Sequence, residues 1–256
     1  MTLAQEHAHA AGLQLYRSWK LWIEPERLRM RRVVRDWLNQ SEPGSVVVEV
    51  GSGNGFLEPV VRRAIPDVVY LGGDIAPTDR TTVVLDATAM PLATGVVDVV
   101  MAVEVLEHMP DPQALLAEAS RVLRPGGRLV LTVPFMFGVH DFRDYHRFTP
   151  LGFEQLAHQH QLVVTETRLR GGTFVSSTGL VRNLILNTIV GKPGGWRAHG
   201  RARQVKWVVA TAVLTPWTLV TWAAFALDSL ADRESVSPPG YFFLCTRRGG
   251  VTSAAS

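Results

Sequence analysis

The residues of this chain that can do chemistry stand at the ends of short β-branched runs. Val47-Val48-Glu49-Val50-Gly51-Ser52-Gly53-Asn54-Gly55-Phe56 reads as a strand, a glycine-rich turn and the start of a helix. Glycines there let the backbone turn sharply and bring main-chain N–H groups close to a ligand. A dinucleotide loop uses the same device, but its fingerprint wants Gly or Ala where Phe56 stands, and a pyrophosphate is ill served by Glu49. An acid beside the loop suits a cationic or zwitterionic ligand. Asp74 closes Tyr70-Leu71-Gly72-Gly73-Asp74-Ile75, about 20 residues beyond the loop, where an acid accepts both hydroxyls of a ribose. Asp86, in Leu85-Asp86-Ala87-Thr88, follows the next run and can accept from an adenine amino group. Glu104 and His108 end the run that starts at Asp98.

A second constellation lies between Pro134 and Pro150. His140, Asp141, Arg143, Asp144, Tyr145, His146 and Arg147 fill seven of eight consecutive positions, more than a solvated loop needs. Three readings fit these residue types. They bind an acceptor and remove its proton; or Arg147 and Thr149 anchor the helix that follows; or His140, Asp141, Asp144 and His146 ligate a metal, at a spacing that matches no familiar site. No metal is assigned.

The elements that must position these residues alternate between strand and helix, as βαβ units stacked on a parallel sheet do. Strands are expected at 46–50, 68–74, 82–86, 97–103 and 128–133. Asp111 caps a helix that opens on Pro112, buries Leu115, Leu116, Ala119, Val122 and Leu123, and stops at Pro125-Gly126-Gly127. Thr149-Pro150 starts another helix, followed by a strand over 162–168. The second constellation then falls after strand five, where open α/β sheets place their binding crevice. Residues 1–44 read as a helical cap, Met30, Val33, Val34, Trp37 and Leu38 on its buried side and Arg27, Arg29, Arg31, Arg32 and Arg35 on a solvated face.

Composition bounds the rest. A chain of 256 residues with 46% hydrophobic and 19% charged residues buries a real core, which excludes disorder and a disulfide-stapled mini-protein. One cysteine, Cys245, forms no internal disulfide, and the first residues lack the basic start and apolar run of a secretory signal. A cytoplasmic location is expected. The net charge of +3 and pI near 9.3 give no reason to expect a nucleic-acid partner. The apolar excess sits in residues 175–240. Residues 207–227 are uncharged and long enough to span a bilayer, yet Tyr241–Arg248 reads as a closing sheet strand, and a single crossing would strand it on the far side. The expected arrangement is therefore an apolar helical insertion that caps the domain, dimerises or lies peripherally on a membrane. The division expected is 1–44 cap, 45–174 with 241–248 core, 175–240 insertion and 249–256 tail.

Glu49 to Gly53, Asp74, Asp86, Glu104-Val105-Leu106-Glu107-His108 and Leu123-Arg124-Pro125-Gly126-Gly127-Arg128-Leu129, in this order and spacing, resemble the class I S-adenosylmethionine-dependent methyltransferases of the small-molecule branch. The resemblance covers about residues 45–170 and 241–248. It implies a seven-stranded, mostly parallel Rossmann-like α/β sheet of order 3-2-1-4-5-7-6 with strand seven antiparallel. It also implies that Glu49, Gly51, Ser52 and Gly53 hold the amino-acid end of S-adenosyl-L-methionine, Asp74 and Ile75 its ribose side and Asp86 with Ala87 its adenine, with Glu104 at the lip. Residues 140–149 look like the H-[DE]-x-x-D-Y-x-R-[FY]-T stretch of bacterial methyltransferases from glycan and envelope pathways. Since a sulfonium methyl is already activated, an alcohol acceptor needs positioning and a base near neutrality, a task for histidine. His140 is the expected base, oriented by Asp141 or Asp144, with Tyr145 beside them and His108 as the alternative. The function this implies is O-methylation of a sugar, glycan or glycolipid hydroxyl. The alternatives are a lipophilic acceptor such as a quinone or polyketide, and a non-catalytic scaffold that binds membrane or a partner.

Overall fold

The computed structural model describes residues 25–76, 78–139, 143–189, 216–231 and 235–249. The chain divides into two compact units, 31–170 with 238–256, and 1–30 with 171–237.

The larger unit is built on one sheet of order β3-β2-β1-β4-β5-β7-β6, as expected. Its strands are β1 (Val46–Val50), β2 (Val69–Asp74), β3 (Val83–Val84), β4 (Val97–Val103), β5 (Leu123–Pro134), β6 (Leu162–Leu169) and β7 (Gly240–Arg247). The first five run parallel, and β7 runs antiparallel between β5 and β6. Strands β1 and β4 and the second half of β5, from Leu129 to Val133, are near-continuous apolar runs because both faces of a parallel sheet are covered. Asp98 is the exception in β4: its Oδ2 accepts from Val46 N at 2.6 Å and its Oδ1 meets Arg124 at 2.7 Å, so this acid fixes the start of β1.

The helices follow their caps. Helix α1 (Pro25–Leu38) buries Val33, Val34, Trp37 and Leu38, and Trp37 meets Phe242 edge-on at 6.5 Å. Helix α2 is Glu58–Ala64. In α3 (Pro112–Val122) Asp111 accepts from Gln113 N at 3.0 Å, and in α4 (Pro150–Gln159) Thr149 accepts from Gly152 N at 3.1 Å. Two strands differ from expectation. β3 shrinks to two residues because Asp86 folds back onto Thr88 and ends it. β5 starts at Leu123 rather than Arg128, since Leu123 already pairs with Val97 across an irregular register.

The smaller unit contains α5 (Thr173–Ile189) and α6 (Trp217–Ala231), joined by a bond from Trp217 Nε1 to the Thr178 carbonyl at 3.2 Å. Asp228 of α6 accepts from the N–H groups of Gly172, Phe174 and Val175 and so caps α5. No helix among the described residues is long and apolar enough to cross a membrane, and part of the expected 207–227 segment lies outside them.

Candidate functional site

The carboxyl ends of β1 to β5 share one edge, with the switch point between β1 and β4, where connections leave in opposite directions. The loop after β1 lies there. Gly51, Gly53 and Gly55 all have positive φ, and a Cβ at Gly51 would stand 2.5 Å from Val105 Cγ2 in the segment after β4. Only glycine permits that approach. The loop is fastened to the end of β2: Ser52 N donates to Gly73 O at 3.0 Å, Gly53 N to Asp74 Oδ2 at 3.0 Å, and Thr78 Oγ1 to Gly53 O at 2.7 Å. Ser52 Oγ is buried and has no hydrogen-bond partner.

Three carboxylates surround this loop. Glu49 is buried and accepts from the Tyr70 hydroxyl at 2.5 Å. Burial pushes its pKa up to about 7 against the pull of the Tyr70 bond, and the Glu58 charge adds to the rise. Tyr70 is pushed up in turn, first by burial and then by Glu49. Asp74 Oδ1 accepts from Ala76 N at 3.0 Å, so both its oxygens receive backbone N–H groups. Exposed Asp86 accepts from Thr88 N and Oγ1 at 2.8 and 2.7 Å, bonds that lower its pKa. Ile75 is exposed and Ala87 half-buried.

The segment after β4 is different in kind. Glu104, at φ 56°, accepts through Oε1 from Thr132 Oγ1 at 2.8 Å and from Arg170 Nη1 at 2.7 Å. Glu107 is fully buried and neither of its oxygens has a hydrogen-bond partner; His108 Nε2 is 3.7 Å from Oε1. Burial, then the charges of Glu104 and Asp144, hold its pKa well above the carboxylate range, while Arg170 pulls it down. Its carbonyl accepts from Tyr145 N at 2.8 Å. His108 Nδ1 lies 2.7 Å from the Arg143 carbonyl, which can only accept, so Nδ1 carries the proton. The Asp144 carboxylate is buried and holds Arg147 through both oxygens, while Arg147 also reaches the carbonyls of Phe137 and His146.

Arg147 engages both oxygens of Asp144, and this salt bridge with the Thr149 cap anchors residues 144–149. His108 has Nδ1 on the Arg143 carbonyl and Nε2 3.7 Å from Glu107 Oε1. His140 and Asp141 lie outside the described residues, and Tyr145 is half exposed, its ring tilted beside His146. Among the described residues no group of three or more His, Cys, Asp or Glu can hold a metal ion. Sequence reasoning missed Tyr70, Glu107, Thr132 and Arg170 as members. Tyr70 was findable: it sits two residues before Gly72, the residue in register with Glu49, and therefore on the same face. Thr132 and Arg170 come from β5 and the end of β6 and carry no local signal.

Residues 48–131 match the methyltransferase-domain family. The chain is 38% identical over 105 residues to a 27-O-demethylrifamycin SV methyltransferase of Amycolatopsis mediterranei, covering 34% of this chain and 38% of that one. It is 28% identical over 198 residues, 72% of this chain and 56% of the other, to a 2-methyl-6-phytyl-1,4-hydroquinone methyltransferase of Synechocystis. The chain thus spans less than two thirds of the length of these curated relatives. A putative sarcosine dimethylglycine methyltransferase from Galdieria sulphuraria shares the fold, with a TM-score of 0.56 at 16% identity over 87% of this chain and 86% of that one. The sheet order and the glycine loop at the switch point agree with the match of residues 48–131 to the methyltransferase-domain family.

Proposed function

We propose that the chain is an S-adenosylmethionine-dependent O-methyltransferase acting on a hydroxyl of a lipid-borne acceptor, a glycolipid sugar foremost. The observation that carries the cofactor part is the fastening of the glycine loop to Asp74, beside buried Glu49. The residues fit the cofactor. Glu49 is a buried acid that an ammonium would restore to its charged form, Ser52 Oγ is a buried polar atom in want of a partner, and at Gly51 the loop packs so close to Val105 that no Cβ fits. Asp74 would take the ribose hydroxyls, Asp86 and Ala87 the adenine edge, with Ile75 against the ring and Glu104 at the lip.

Bound S-adenosylmethionine supplies an electrophilic methyl on a positively charged sulfur. What remains for the chain is to align a hydroxyl and accept its proton. His140 is the proposed base, with Asp141 beside it; Tyr145, on the same segment and exposed, supplies an acceptor contact. The sugar reading is supported by the residue pattern at 140–149. A second reading, a prenylated or polyketide hydroxyl, is favoured by the 198-residue likeness to a hydroquinone methyltransferase.

Incubation with methyl-labelled S-adenosylmethionine and, in parallel, a glycolipid, its free sugar and a prenylated hydroquinone separates these readings. Label on the glycolipid sugar as an ether is expected, and His140→Ala should lower the rate by about 10²–10⁴. Label on the quinol alone selects the second reading. Failure to bind the cofactor and to label any hydroxyl overturns the proposal.

A further inference from the structure

The helix pair of the smaller unit is packed with its polarity reversed for water. In α6 the inward positions Trp217, Thr221, Ala224 and Asp228 recur at helical spacing, and Ala224 and Asp228 are buried. The outward positions carry Leu219, Val220, Trp222, Leu227 and Leu230, with Leu219 and Leu230 73% and 78% exposed. In α5 Val175 and Ser176 are buried while Leu180, Val181 and Leu184 are open. A water-facing amphipathic helix does the opposite.

The polar groups of the pair behave consistently with this. Asp228 is turned inward onto three N–H groups, and Ser176 donates to the Ser237 carbonyl at 2.6 Å. Ser177, Thr188, Thr221 and Ser229 fold their hydroxyls onto carbonyls of their own helices, at 2.8, 2.8, 3.0 and 2.7 Å. That habit satisfies a hydroxyl where water is scarce.

Charge identifies what covers the face. From Thr173 to Ala231 the sequence carries six basic residues, Arg182, Lys192, Arg197, Arg201, Arg203 and Lys206, the last five outside the described residues, against one acid, Asp228, which is spent on capping α5. Two copies of such a unit would repel each other, whereas an anionic headgroup layer attracts it. Tryptophan, here the exposed Trp222, is a residue type enriched at lipid–water boundaries. We propose that α5 and α6 dock their outward apolar face into the surface of an anionic lipid bilayer, lying in it without crossing it. This does not rest on the methyl acceptor and would hold for either reading above.

Flotation of the full-length protein with phosphatidylcholine vesicles, with and without phosphatidylserine, tests it. The expected result is co-flotation at least about tenfold stronger with phosphatidylserine and lost at about 1 M salt, where the screening length falls to about 3 Å. The triple change Leu219→Asp, Leu227→Asp, Leu230→Asp should abolish flotation while leaving the circular dichroism spectrum and S-adenosylmethionine affinity unchanged. Three results would overturn the proposal: indifference to anionic vesicles, a soluble dimer that the triple change disperses, or retention on the membrane through high-salt and carbonate washes.

Discussion

The carboxylates on the two sides of the switch point are held in opposite ways. On the β1–β2–β3 side Asp74 accepts from two backbone N–H groups, Asp86 accepts from Thr88 in bonds that lower its pKa, and both keep access to solvent. On the β4 side Glu107 and the Asp144 carboxyl are buried; one is without any hydrogen-bond donor and the other is neutralised by Arg147. The first group is the one proposed to receive the cofactor. The second fastens the segment at 143–147 to the end of β4 through His108–Arg143 and Tyr145–Glu107. On that proposal acids near the crevice divide into those offered to a ligand and those that hold the wall, and Glu49, buried yet on the proposed binding side, means that their partners rather than burial alone separate them.

Breaking the wall should cost the most. Arg147→Ala removes the arginine that engages both oxygens of the buried Asp144 carboxylate; breaking a buried pair costs about 3–5 kcal/mol, and with Arg147 a quarter exposed the expected loss is about 3 kcal/mol by denaturant unfolding. Unfolding curves that overlay the parent would remove Asp144 and Arg147 from the wall. On the binding side, Asp74→Ala should raise the cofactor Kd by roughly 10- to 150-fold, about 1.5–3 kcal/mol, with little change in the unfolding midpoint. A fall in stability comparable to that of Arg147→Ala would show that Asp74 is structural.

The same division was only half legible in the sequence. Asp111, Pro112, Thr149 and Pro150 announce their helices through cap chemistry that acts within a few residues, and β1 and β4 appear at their expected bounds for the same local reason. The order of Glu49, Asp74 and Asp86 points to the proposed binding side because each acid lies at or within two residues of a strand's carboxyl end. The wall is written by partners distant in sequence: Arg170 reaches Glu104 across 66 residues and Thr132 across 28. The arginine that holds the acid at 144 is likewise not announced by the histidine-rich run around it. The polarity reversal of α5 and α6 was hidden too, since an apolar run alone does not reveal which side it faces.

Two smaller effects sharpen the contrast through pH. Glu49 must lose its proton to meet an ammonium, so cofactor affinity should rise several-fold between pH 6 and pH 8, across its pKa of about 7, and Glu49→Gln should weaken binding and flatten that dependence. An unchanged slope in the variant would place the titration elsewhere. For Glu107 the folded pKa lies above its unfolded value of 4.5, so the native state binds the extra proton. Its favourable contribution is complete below about pH 4.5 and fades as pH rises through the raised folded value. Glu107→Gln keeps the neutral shape and should reduce the loss of stability on raising pH toward 9, read from unfolding midpoints; an equal loss in the variant would mean that the native group is ionised.

The central claim, that the glycine loop and the β1–β2–β3 carboxylates form a site for S-adenosylmethionine, is tested most directly by isothermal titration of the purified full-length chain. The expected result is one-to-one, micromolar-range binding of S-adenosylmethionine and of its demethylated product, with no heat from NAD. Tight binding of NAD, with neither S-adenosyl compound bound, would contradict it.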